Sequence, residues 1–87
     1  MWLVRCEPAA QGYLDDSGPY VIPLQRAIIR LMMSDDGQPS EGRLMPMGES
    51  VFLWEVASHT LLLKMLDKEI WIEAIYQGGI DDLRNRI

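Results

Sequence analysis

The sequence predicts an α+β fold that is mainly helical, on three observations. The stretch 50–77 concentrates the large apolar residues at helical spacing, a second amphipathic pattern follows Pro23, and the first six residues have the bulky, branched character of a strand. The elements expected are a short N-terminal strand, two main helices over about 22–33 and 50/60–77, and a short C-terminal helix. The alternative weighed against it is α+β with a β-meander over 43–76.

Met1 to Cys6 reads as the strand, ending before Glu7-Pro8, with Cys6 as a small buried hydrophobe. Residues 9–20 hold Gly12, Gly18 and Pro19 and read as loop. Pro23 suits the first turn of a helix, and Leu24, Ala27, Ile28 and Leu31 follow at i, i+3, i+4 and i+7. Arg26 and Arg30 share the polar side of that helix, and Ser34-Asp35-Asp36-Gly37 stops it. From Ser34 to Ser50 glycines and prolines punctuate the chain; Arg43 to Met47 is an edge-strand candidate in which Pro46 is tolerable only at an edge or bulge.

Within 50–77, Phe52, Val56, His59, Leu66, Ile70 and Ala74 fall within about 60° of Leu63 on a helical wheel. Trp54, Leu61, Met65, Ile72 and Tyr76 form a second stripe on the opposite side. Lys64 and Lys68 lie on one flank between the stripes; Glu55, Glu69 and Glu73 lie on the other. Against the meander, the turn signals at Ser58-His59 and 67–69 lack Gly, Pro and Asn, and Leu61, Leu62 and Leu63 break the period-2 alternation. Gly78 supplies a helix stop. An unbroken rod would be about 42 Å long, so either it breaks near Ser58-His59-Thr60 or it projects against another molecule. After Gly79, Ile80, Leu83 and Ile87 share a face, with Asp81 and Asp82 in the first turn and Arg84 and Arg86 in the last, as the helix dipole favours.

Eighty-seven residues suit one small domain, 1–87. Thirteen acidic against eight basic residues give a net charge of −5, which disfavours phosphate backbones and anionic membranes, so neither nucleic acid nor a membrane is an expected partner. A single cysteine, no export leader and no membrane-length apolar run place the chain in the cytoplasm.

No motif carries a reaction. Glu55 and His59 are four apart, but His59 is the sole histidine and no cysteine cluster completes a metal site. Instead, His59 is expected along the core stripe, hydrogen-bonded. The Asp pairs at Asp15, Asp35 and Asp81 lack calcium-loop spacing, and no phosphate-binding glycine loop or nucleophile elbow occurs. No catalytic residue, cofactor or metal is therefore expected. One long helix with two apolar stripes leaves one unburied, so the function expected is a non-catalytic protein-interaction module acting as a homodimer. It would be a regulator, inhibitor or adaptor, with Trp54, Leu61, Met65, Ile72 and Tyr76 binding the partner. The alternatives are a structural subunit of a larger assembly or a small carboxylate-based enzyme.

Overall fold

The computed structural model describes residues 2–16 and 18–84. The N-terminal strand is β1, Leu3–Cys6, and two helices follow it: α1, Pro8–Asp15, and α2, Val21–Met32. Pro8 opens α1 at a position where its missing N–H removes no helical bond. The expected helix over 22–33 is α2, which buries Val21, Leu24, Ala27, Ile28 and Leu31 along one side. Four strands then run in succession: β2, Arg43–Gly48; β3, Val51–Val56; β4, His59–Leu66; and β5, Glu69–Gln77. A short helix, α3, Ile80–Arg84, closes the described chain.

The mainly helical reading is corrected here, because the stretch 51–77 is three antiparallel strands of a five-stranded mixed sheet, ordered β1-β5-β4-β3-β2. The meander over 43–76 is the arrangement present. Strand β1 adds at the edge, parallel to β5, with Val4 opposite Ile70 and Cys6 opposite Ile72. The hairpins turn through Ala57-Ser58 and Asp67-Lys68, all four residues at positive φ. Both turns have the backbone sign of the tight hairpin connections that match strand twist. Their residues are not the usual Gly or Asn, so the backbone cost is borne by the sheet and the core that the turns connect.

Leu61, Leu62 and Leu63 run together because β4 is central and presents apolar side chains to both faces. The helical spacing in this stretch is therefore coincidental. Trp54 and Leu61, seven apart, face each other across the β3–β4 ladder, and Phe52 meets Leu63 in the same way. A bulge in the β4–β5 ladder shifts the register between Leu62 and Leu63, so Leu62 pairs with Ala74 but Leu63 with Ile72.

Helices α1 and α2 cover one face of the sheet. Trp54, Leu61, Leu63, Ile70 and Ile72 lie beneath them fully buried, with Val4, Cys6, Phe52, Met65 and Ile75 packed around. Trp54 also donates its indole N–H to the Glu41 carbonyl at 3.0 Å, tying the α2–β2 loop to the core. Gly42, at φ +75°, passes so close to the Glu55 carbonyl that a side chain there has no room. The described residues span 32 × 29 × 24 Å, shorter along every principal axis than an unbroken rod of about 42 Å. No described helix is long and apolar enough to cross a membrane.

Candidate functional site

The face of the sheet turned away from α1 and α2 is organised in cross-strand rows. Arg43, Glu55, Thr60 and Tyr76 form one, and Met45, Leu53, Leu62 and Ala74 the next. A third runs Val51, Lys64, Trp71, Arg5. Two of its cations flank an aromatic ring. The Arg5 guanidinium lies 5.6 Å from the centre of the Trp71 ring and 3.5 Å from Glu69. Lys64 is exposed and has no ion-pair partner among the described residues.

Beside this row lies a depression of about 300 Å³ lined by Glu7, Lys64, Leu66, Trp71 and Glu73. Its composition follows from the backbone. Trp71 points outward because Ile70 and Ile72 on either side point into the core. Glu73 is the extra β5 residue at the bulge, the kind of irregularity that re-aims a side chain. Glu7 sits at the start of α1, where its backbone N–H donates to the Ile72 carbonyl at 3.0 Å. The result is one ammonium, two carboxylates and an aromatic wall on an open surface.

A larger cavity, about 580 Å³, opens at the other side of the molecule between the start of α2 and the β3–β4 turn, lined by Pro19, Tyr20, Pro23, Ala57, Ser58, His59 and Gln77. His59 at its wall is buried and fully engaged. Its Nε2 lies 2.6 Å from the Tyr13 hydroxyl and its Nδ1 2.6 Å from the Ala57 carbonyl. The carbonyl can only accept, so Nδ1 carries the proton and Tyr13 donates to Nε2. Gln77 Nε2 donates to the Tyr13 oxygen at 3.2 Å. This cluster locks α1 to the sheet, and His59 has no free nitrogen for chemistry. Tyr13→Phe is expected to cost about 1 to 3 kcal/mol by leaving a buried ring nitrogen unpaired, measured by denaturant unfolding.

The residues expected to bind a partner are not brought together. Trp54, Leu61 and Ile72 are fully buried in the core, Met65 packs against it, and Tyr76 alone is exposed, on the opposite face. The expected core stripe divides as well: Leu63 is buried, but Leu66 is 45% exposed. Glu55 and His59 point to opposite faces, as strand neighbours across the β3–β4 ladder rather than along a helix. Glu55 accepts the Ile80 N–H at 2.7 Å and lies 3.6 Å from Arg43. Arg30 is not simply solvated, since it grips Glu41 through two hydrogen bonds of 2.7 and 3.0 Å, which hold the Glu41 carboxyl below its ordinary range. Burial, aided by the charge of Asp15, pushes the Cys6 thiol up, away from the reactive thiolate.

Sequence comparison is silent: no family model and no curated protein sequence matches the chain. Comparison of folds is not. The isolated RelE toxin of E. coli, a crystal structure, superposes with a TM-score of 0.68 over 99% of this chain and 94% of that one, at 10% identity. The fold is RelE-like. At that identity the likeness concerns the fold, so each side chain has to be argued from this chain alone. The non-catalytic regulator, inhibitor or adaptor was expected from a long helix with two apolar stripes, and this fold contains no such helix, so that expectation is withdrawn together with the expected absence of enzymatic activity and of a nucleic-acid partner. The homodimer goes too, because the stripe that was to form it is the interior of the sheet. Of the depression's residues, Lys64 and Glu73 are flank charges in the helical pattern of 50–77. A period-2 reading of Ile70, Trp71 and Ile72 would have placed Trp71 on an outward face.

Proposed function

We propose that this chain is a RelE-like toxin: a cytoplasmic ribonuclease that cleaves messenger RNA on the ribosome and is restrained by an antitoxin. The observation that carries the reading is the overlap with the RelE toxin fold along nearly the whole of both chains. The depression at Trp71 offers the chemistry. RNA carries its own nucleophile, the 2′-hydroxyl, and cleavage needs a base for that proton, a cation at the phosphate and an acid for the leaving oxygen.

Glu73 takes the 2′-hydroxyl proton as the 2′-oxygen attacks phosphorus. The bond from phosphorus to the 5′-oxygen breaks, a 2′,3′-cyclic phosphate forms, and the 5′-oxygen takes a proton from the Lys64 ammonium. Water returns the protons to their starting places. Trp71 holds a base by stacking, which suits any base because each has a π-face. Lys64 also offsets charge on the non-bridging oxygens.

Net charge explains the need for the ribosome. A chain at −5 cannot hold RNA by releasing counterions from its backbone, so the substrate has to be presented by something that already binds it. Induced expression in a bacterial host is expected to stop growth and protein synthesis, and to leave mapped breaks in translated messages. Unimpaired growth with the folded protein accumulating would contradict the proposal.

A further inference from the structure

Glu69 carries a carboxylate with no charge opposite it in the sheet. Its cross-strand neighbours are Leu3 on β1 and Leu66 on β4, both apolar, so the side chain turns along its own strand to Trp71, which projects from the same face. There its two oxygens are divided. Oε2 accepts the Trp71 indole N–H at 3.2 Å, and Oε1 lies 3.5 Å from the Arg5 Nε. Arg5 sits opposite Trp71 in the β1–β5 ladder and sets its guanidinium over the ring, 5.6 Å from the centre. Each of the three side chains thus holds the other two. The two faces of the indole are unequal as a result. Arg5 covers one from the β1 side, while Lys64 on β4 stands at the other. The depression is lined by Trp71 and Lys64 but not by Arg5, so the uncovered face is the one turned towards it.

We infer that Glu69 and Arg5 are positioning residues that hold Trp71 as a one-faced platform, on which a single unpaired base stacks from the Lys64 side with its ribose at Glu73. Arg5 occupies the second face and keeps another base from stacking there. Both side chains are partly exposed, so as an ion pair they contribute little to stability. Their effect is geometric. A Trp ring without such contacts turns broadly about χ2, and a turning ring presents no fixed plane to a base. Neither residue touches the reacting atoms. The RNA substrate comes from the toxin reading, on which this inference rests; the clamp on the ring comes from the distances among Arg5, Glu69 and Trp71 alone.

The test has two readouts. In the isotope-labelled full chain, the heteronuclear NOE of the Trp71 indole N–H reports ring motion on the picosecond to nanosecond scale, with the Trp2 and Trp54 indoles as controls for the fold. Glu69→Ala is expected to lower the Trp71 value below that of the ordered backbone and to leave the other two unchanged, since the site is at the surface. In ribosome-dependent cleavage, Glu69→Ala and Arg5→Ala should each raise the KM for message about three- to tenfold, part of what stacking contributes, with kcat changed by no more than about twofold. In a Trp71→Ala background, where the ring they hold is gone, neither substitution should raise KM further. An unchanged Trp71 signal in Glu69→Ala would overturn the inference, as would an undiminished effect of either substitution on KM once Trp71 is Ala. Absence of cleavage by the unaltered chain counts against the toxin reading, whereas the order of the ring is read without RNA and tests the clamp separately.

Discussion

Trp54→Ala is expected to remove about 3 to 5 kcal/mol of folding stability, much of what a small domain possesses. The indole is fully buried beneath the helices and its N–H is bonded to the Glu41 carbonyl, so truncation opens a cavity and frees the loop before β2 together. Ile72→Glu should be worse, because it places a carboxylate where Leu63 and Cys6 flank it in the sheet, with no partner to compensate it. Chemical denaturation at several protein concentrations checks both. A loss that depends on concentration, with the monomer's own fold intact, would restore these residues to an outer surface and contradict the sheet.

Glu73→Gln is the second large effect. Removing a general base lowers the chemical step by about 10²- to 10⁴-fold, and Lys64→Met should do comparable damage by stripping the cation from the phosphate. Both side chains are exposed, so stability should change by no more than about 0.5 kcal/mol. Toxicity and mRNA breakage in the expressing host should disappear for both, with the melting transition unmoved. Trp71→Ala should weaken substrate capture through lost stacking, by about 1 to 3 kcal/mol per base. Full toxicity of the Glu73 and Lys64 variants would move the active site away from the depression.

Local patterns made part of this fold legible. Cys6 before Glu7-Pro8 ends a strand, Pro23 with Leu24, Ala27, Ile28 and Leu31 makes a helix, and Asp81 and Asp82 open one. Arg43 to Met47 lies within an edge strand with its irregularity at Pro46, as that residue requires. Residues 51–77 misled because hairpin pairing can imitate helical spacing: Trp54 meets Leu61 across a two-residue turn, and seven residues is also two helical turns. The turn signals at 58–59 and 67–69 are weak, since Ala57, Ser58, Asp67 and Lys68 adopt positive φ without the residues that usually mark it. That information lies in the tertiary burial that compensates the strain, not in the turn sequence. The site was hidden for a related reason. Glu7, Lys64, Trp71 and Glu73 come from three separate elements and meet only once β5 is threaded between β1 and β4 with a bulge at Glu73.

Ribosome-dependent cleavage is tested most directly with a defined mRNA and the purified chain in a reconstituted translation system, with 3′ ends analysed for a cyclic phosphate. Breaks are expected in ribosome-bound message, with none in the same RNA without ribosomes and none with Glu73→Gln. Intact message with actively translating ribosomes and folded protein present would contradict it.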